Sequence, residues 1–170
     1  MTDAGHTDLA IEQADVAQIE TASSILIEAS RWQASVGNPM WPEEMLMPDK
    51  LQHRAEAGEL YLAYWDGEAV GVFLLQWEDT FFWPEIPTGE SAFVHRLAVR
   101  RSVAGQGVAD AMIAWAADRA RDAGMRYLRL DCDAGRPRLC AFYERLGFVR
   151  QTDLVRSHWL SARYQLDLRP

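Results

Sequence analysis

The chain has 170 residues, 49% of them hydrophobic and 25% charged, with a formal net charge of -8. That length fits one domain able to bury a core without disulfide or metal staples, and the composition excludes a disordered chain. The negative charge excludes nucleic acid as a general partner, since it repels phosphate backbones, and mildly favours a cationic substrate.

Met1 to Thr7 is small and polar and lacks the basic-then-apolar order of a signal peptide. No apolar run approaches the ~20 residues that span a bilayer, so no membrane partner is expected and the expected compartment is the cytoplasm. Leu9-Ala10-Ile11 reads as a short strand. Asp15 is a good N-cap for a helix over Val16 to Gln33, with apolar residues at Val16, Ile19, Ile25, Leu26 and Ala29. Val36 to Trp41 holds Gly37, Asn38 and Pro39 and is a loop, and Asp49 can begin a short helix ending near Gly58. A hairpin follows: Leu60 to Tyr64, the turn Asp66-Gly67, and Ala69 to Trp77, because both turn positions tolerate positive φ. Glu78 to Glu90, with two prolines and three aromatics, is a loop.

The second half alternates strand and helix. Ala92 to Val99 reads as a strand, and Gly107 to Ala123 as a helix ended by Gly124. Arg126 to Cys132 reads as a strand with Tyr127, Leu128 and Leu130 set against Arg126, Arg129 and Asp131. Pro137 to Leu146 is a helix with proline in its first turn. Phe148 to Arg156 and Trp159 to Leu168 are two closing strands. A mixed sheet with helices on both faces is the expected product, with a right-handed parallel crossover from Ala92 to Cys132. Cys132 and Cys140 match no metal or redox spacing and read as two reduced thiols, so no metal is expected.

The chemistry is concentrated at Leu97-Ala98-Val99, then Arg100 to Val103, then Ala104-Gly105-Gln106-Gly107-Val108-Ala109, where a strand runs into a glycine turn that opens a helix. The start of a helix has unpaired N–H groups and a partial positive charge, and small residues let a diphosphate approach the backbone. Alone this is a weak signal, because glycines also serve tight turns. Downstream stands Ala141-Phe142-Tyr143-Glu144-Arg145-Leu146-Gly147-Phe148. In that order and at about that distance the two motifs resemble the GNAT family of N-acetyltransferases. Its cofactor loop reads Gln/Arg-x-x-Gly-x-Gly/Ala after a Leu-x-Val strand end, and its later helix ends in Tyr-Glu-x-x-Gly-Phe. The likeness is strongest over residues 92–151. Three positions depart or vary: Ala104 stands at the usual Gln/Arg, Arg136 at the usual Asn, and Ala109 at the sixth loop position, where alanine is allowed.

The resemblance implies an α/β (α+β) fold: a mostly antiparallel sheet of about seven strands, helices on both faces and a splayed parallel pair. It implies one acetyltransferase domain over residues 1–170, with 92–151 as its acetyl-CoA-binding core. Backbone groups of Leu97, Ala98 and Val99 are expected at the pantetheine arm. The N–H groups of Ala104, Gly105, Gln106, Gly107, Val108, Ala109 and Asp110 are expected at the diphosphate, and Arg136 beside the arm in place of asparagine. Arg100 and Arg101 can add positive charge for the phosphates. Tyr143 matches the tyrosine that protonates the departing coenzyme A thiolate. His95 has a suitable intrinsic pKa for the base, with Glu90 and Asp131 as further carboxylates, and the Val99 N–H can polarise the thioester carbonyl.

The acceptor is then an amine on a small molecule or peptide. Trp32, Trp41, Trp83 and Phe82 can line its pocket or clamp a cation, and Glu43, Glu44, Glu78, Asp79 and Glu85 can counter an ammonium. Core packing and solvated charge are the bland readings of the same residues. The aromatic loop and the terminal strands offer a homodimer face. The competing functional reading is an acyl-CoA sensor without turnover, for which Ala104 and Arg136 leave room. A dinucleotide-binding domain would need a third glycine and an earlier motif.

Overall fold

The computed structural model describes residues 9–170; the polar stretch Met1–Thr7 lies outside them. Among the described residues the strands are β1 (Leu9–Gln13), β2 (Leu60–Trp65), β3 (Glu68–Gln76), β4 (Ser91–Val99), β5 (Tyr127–Asp133), β6 (Val149–Arg150), β7 (Leu154–Arg156) and β8 (Trp159–Asp167). The helices are α1 (Ile19–Ser35), α2 (Pro48–Glu56), α3 (Val108–Asp122) and α4 (Pro137–Arg145). The sheet order is β1-β2-β3-β4-β5-β8-β6, with β7 paired to β8. The eighth strand arises because the expected single strand Phe148 to Arg156 is broken in two. The Gln151 N–H still reaches Arg163 O at 2.7 Å in the β6–β8 register, Asp153 binds the Arg150 guanidinium through both oxygens at 2.9 Å, and pairing resumes at Leu154↔Ser161 shifted by one residue. No helix among the described residues is long and apolar enough to cross a membrane.

Two compact units are formed. One comprises the chain up to Leu74 together with Arg96–Met112, the other Leu75–His95 together with Ile113–Pro170. In the first unit, the Asp15 side chain accepts from the Ala17 N–H at 2.8 Å while Gln18 Oε1 accepts from the Asp15 N–H at 2.9 Å. Such a cap contributes about 1 kcal/mol. It starts a 3-10 turn over Val16–Gln18 that continues into α1. Ile19, Ala22, Ile25 and Leu26 then fall on one face of α1 and pack with Leu46, Leu51, Leu60, Leu62 and Val72 into a buried cluster. Burying each large aliphatic side chain of this set contributes roughly 1.5–3 kcal/mol. The hairpin turn is as expected: Asp66 and Gly67 have φ of 51° and 81°, matching the right-handed strand twist. Gly71 on β3 leaves room for Met112, because a Cβ there would lie 2.6 Å from the Met112 sulfur.

In the second unit, β4 and β5 are parallel, with register Ser91↔Tyr127, Ala92↔Leu128 and Phe93↔Arg129. Both strands run on beyond these three pairs, β4 to Val99 and β5 to Asp133. Arg96, three residues past the last pair, takes a left-handed φ of 51°. β5 and β8 pair antiparallel over seven positions, which sets Arg129 opposite Gln165 and Asp131 opposite Arg163.

Arg129 and Asp131 do alternate with Leu128 and Leu130, but their face is covered rather than solvated. Trp83, from the loop between β3 and β4, lies with the Arg129 guanidinium 5.2 Å and the Arg163 guanidinium 4.5 Å from its ring centre. Arg129 is tied to Gln165 Oε1 at 2.6 Å and to Glu90 at 3.4 Å. Arg163 donates to Phe82 O at 3.0 Å and Thr152 O at 2.7 Å and pairs with Glu85 at 2.7 Å. The loop is therefore pinned by two buried arginines from the sheet.

Candidate active site

The cofactor loop candidates lie in the first unit. Ala98 is buried in its apolar cluster, while Leu97 and Val99 are half-buried at the end of β4. A 3-10 turn over Arg101–Val103 follows, and α3 opens at Val108, with the Ala111 N–H reaching back to Gly107 O at 3.0 Å. Amides at the very start of a helix have no carbonyl one turn back to bond. Gly105 and Gly107 have φ of 75° and 84°, and a Cβ on either would meet nothing within 4 Å. The backbone is thus bent by glycine and open in front, which fits a diphosphate held by main-chain amides.

Arg100 and Arg101 are engaged elsewhere. Arg100 Nη2 donates to Ser24 Oγ at 2.8 Å, its Nε donates to Ala69 O at 3.1 Å, and its Nη1 lies 3.8 Å from Glu28. The Arg101 guanidinium stacks 3.6 Å above the Trp32 ring. Arg100 binds α1 and β3 and Arg101 binds α1, so the expected extra charge for phosphate is committed within the unit.

The second unit holds the proton-transfer candidates. His95, on β4, places Nε2 2.8 Å from Asp79 Oδ2 and Nδ1 3.6 Å from Asp131 Oδ1. Asp79 is fixed in the β3–β4 loop because its Oδ1 accepts the N–H groups of Phe81 and Phe82 at 3.0 and 2.8 Å. Its Oδ2 lies at hydrogen-bonding distance from the imidazole Nε2, and His95 acts on it both as a hydrogen-bond partner and through its charge. Burial pushes Asp79 up, while His95 and the two amides together bring it below the usual carboxylate range. Asp131 behaves in the opposite way. Burial is the main cause, Asp79 adds to it, and the carboxyl is pushed up to about 6 against the pull of His95, Ser161 and Arg156. Glu90 is paired with Arg129 and does not join this group. Asp79, His95 and Asp131 each present one atom within 4.8 Å of the others, a grouping that also suits a metal ion on distance alone.

Tyr143 sits on α4, buried against the rings of Phe142, Phe148 and Tyr164 at 5.1, 5.9 and 6.1 Å between centroids. Burial, then the neighbouring Cys132, Asp131 and Cys140, push its hydroxyl upward. Asp131 is thus an electrical neighbour of both His95 and Tyr143. The Cys132 and Cys140 sulfurs lie 3.7 Å apart, both buried and free, and burial followed by the adjoining Cys140 pushes the Cys132 thiol up. High thiol pKa values suppress thiolate nucleophilicity. Arg136 stands at the start of α4, with Nε 3.9 Å from Asp133 Oδ2.

The aromatic candidates separate. Trp32 carries Arg101, Trp41 packs on the first unit's cluster, and Trp83 is buried between the two arginines. The cations Trp32 and Trp83 hold are the protein's own. Phe82 lies with its ring 5.9 Å from that of His95. Among the acidic candidates, Glu43 pairs with Arg31, Glu85 with Arg163 and Asp79 with His95. Sequence reasoning grouped Asp79 with those loop acids and did not link it to His95. The one local signal is the Asp-x-Phe-Phe spacing, which suits an Asx turn that would immobilise the acid.

The Acetyltransferase (GNAT) family model matches residues 26–148. An uncharacterized N-acetyltransferase of Bacillus subtilis, YesJ, is 29% identical over 136 residues, covering 76% of this chain and 75% of that protein. A GNAT family acetyltransferase structure from Listeria monocytogenes superposes with a TM-score of 0.78 at 22% identity, covering 97% of this chain and 99% of that one. Salmonella typhimurium YncA, solved with its cofactor acetyl-CoA, gives a TM-score of 0.71 at 17% identity, covering 96% and 95%.

Proposed function

The chain belongs to the GNAT acetyltransferase family, and from that premise we propose that it moves an acetyl group from acetyl-CoA to a primary amine by direct attack in a ternary complex. What supports this reading is that the single family match over residues 26–148 spans His95, Leu97–Asp110 and Tyr143 together. The chain works as one acetyltransferase domain, with residues 92–151 as its acetyl-CoA core. Acetyl-CoA supplies the activated acyl group. Main-chain groups of Leu97–Val99 orient the pantetheine arm, with Arg136 beside it, and N–H groups from Ala104 to Asp110 hold the diphosphate. The Val99 N–H polarises the thioester carbonyl. His95 removes a proton from the acceptor, and Tyr143 delivers one to the leaving thiolate. Burial pushes the Tyr143 hydroxyl up, so it is protonated before the reaction and carries the proton to be delivered.

The test is a thiol-release assay with acetyl-CoA and a panel of primary amines. Turnover with at least one amine supports the reading. Tight acetyl-CoA binding with no turnover on any amine would replace it with the sensor reading.

A further inference from the structure

Asp131 Oδ1 is buried and accepts no hydrogen bond among the described residues, and buried Asp79 Oδ2 faces His95 Nε2 at 2.8 Å. A buried acceptor without a donor costs about 1–3 kcal/mol, and more when charged. The other oxygen of each acid is satisfied: Asp79 Oδ1 by the Phe81 and Phe82 amides, Asp131 Oδ2 by Ser161 Oγ at 3.3 Å. Each carboxylate is therefore anchored through one oxygen and presents the other to the imidazole. The Asp79 side chain is only 6% exposed and that of Asp131 11%, with His95 at 16%. Two further carboxylates of the β3–β4 loop, Glu85 and Glu90, have arginine partners at 2.7 and 3.4 Å. Arg156, the cation whose field reaches Asp131, is stacked 4.1 Å over Phe81.

The two nitrogens of His95 then have different tasks. The negative charge of Asp79 beside Nε2 favours the tautomer protonated there, which leaves a lone pair on Nδ1. Nδ1 and Asp131 Oδ1 are two acceptors 3.6 Å apart with no donor between them. That spacing is too long for a bond to each other and within reach of one donor nitrogen about 2.8 Å from both.

We propose that Asp131 Oδ1 and His95 Nδ1 together receive the acceptor's alkylammonium group, with Asp79 as the positioning residue that holds His95 in the receptive tautomer. The proposal rests on the acetyl-transfer reading and narrows the acceptor class to protonated alkylamines without an adjacent carboxylate, since a third carboxylate would be repelled. One proton of R–NH3+ passes to Nδ1. The freed nitrogen lone pair forms the bond to the acetyl carbon, and the C–S bond breaks with its electron pair on sulfur. Tyr143 protonates that sulfur and recovers a proton from the nitrogen as the amide forms. His95 releases its proton to solvent. A divalent metal is the less favoured occupant: the two carboxylates flank opposite ring nitrogens, whereas a metal binds one nitrogen and would have one carboxylate alongside it.

The experiment uses the full chain with coenzyme A present. Long-range 1H–15N imidazole spectra, assigned with His95→Gln among the four histidines, are followed as n-butylammonium, glycine or zinc is added, and thiol release is measured with n-butylamine. The expected results are movement of the His95 signals by n-butylammonium and not by glycine, and a KM for n-butylamine raised about 10- to 100-fold in Asp131→Asn with the KM for acetyl-CoA unchanged. Asp79→Asn is expected to move wild-type His95 from the Nε2-H to the Nδ1-H pattern. His95 signals that n-butylammonium leaves unmoved overturn the proposal without any variant having to fold. Movement by zinc alone overturns it in favour of a metal site. Turnover with an unchanged amine KM in Asp131→Asn overturns it and leaves acetyl transfer standing. Movement of His95 with no thiol release on any amine keeps the ammonium site and removes the acetyl-transfer reading.

Discussion

Asp79 Oδ2 lies 2.8 Å from His95 Nε2 while Asp79 Oδ1 is held by two backbone amides, so the acid is fixed before it meets the imidazole. A base takes the acceptor's proton on a nitrogen that is already positioned, which glutamine cannot do. His95→Gln is expected to lower kcat by about 10²- to 10⁴-fold with the acetyl-CoA Kd unchanged. Steady-state kinetics beside equilibrium binding of both proteins check this.

Tyr143→Phe removes a hydroxyl and no ring. Its contacts with Phe142, Phe148 and Tyr164 are contacts of the ring. The acetyl-CoA Kd should stay within twofold of wild type, and kcat should fall by about 10²-fold. Equilibrium binding beside steady-state kinetics separates the two effects.

Gly107 and Gly124 have nearly equal φ, 84° and 80°, at opposite ends of α3. Forcing a Cβ-bearing residue into the left-handed region costs about 1–2 kcal/mol at either place. Gly107→Val should also weaken acetyl-CoA at least about tenfold by filling the space before the loop. Gly124→Val should lose similar stability and keep its affinity. Calorimetric titration and thermal melts of the pair test this.

Burial pushes the Asp131 carboxyl up to about 6, above the ~3.9 of an unfolded aspartate. Native protein then binds the extra proton between those values, so this residue's contribution to stability is full below about pH 4 and is lost as pH rises through 6. Asp131→Asn should be more stable than wild type above pH 6, by up to about 3 kcal/mol, with the gain shrinking toward pH 4. Besides His95 and Asp79, the charged or titratable groups acting here are Arg156, Tyr143 and Cys132, while Ser161 donates to the carboxylate. Urea melts at two pH values decide it. Equal stability gains at both would show that charge burial is not the cause.

Gly71→Ala should destabilise by about 1–2 kcal/mol, because its Cβ would lie 2.6 Å from Met112 Sδ and 3.3 Å from Ala63 Cβ. Met112 is fully buried and has little room to swing. Shortening it in Met112→Val should make the pair of changes less costly than their sum. A double-mutant cycle from denaturant melts provides the measurement.

Most elements were legible because periodicity and punctuation agree locally. Asp15 with Gln18 caps α1, Asp66-Gly67 makes the hairpin turn, and Gly124 and Gly147 take left-handed φ just past α3 and α4. The alternation of β5 was also readable. What its polar face meant was not, because alternation shows that Arg129 and Asp131 share a side and carries no word of Trp83, more than forty residues away, coming to cover it. The break between β6 and β7 is a one-residue shift of register against β8, which residue alternation does not announce. At the candidate site, His95 and Tyr143 stood out by residue type and motif. Asp79 did not: its Asx-turn spacing shows that the acid is held, and only the fold brings it to Nε2.

The two arginines that grip Trp83 belong to β5 and β8, and most of their bonds to the loop reach a ring, a main-chain carbonyl or the carboxylate of Glu85. Attachment is thereby separated from the identity of the residues between the anchors. Descendants of this chain can exchange the side chains around Asp79 and Phe82 without re-registering a strand. Diversification of acceptor choice should accordingly be concentrated in this short insert, while Arg129, Arg163 and Trp83 drift together or not at all.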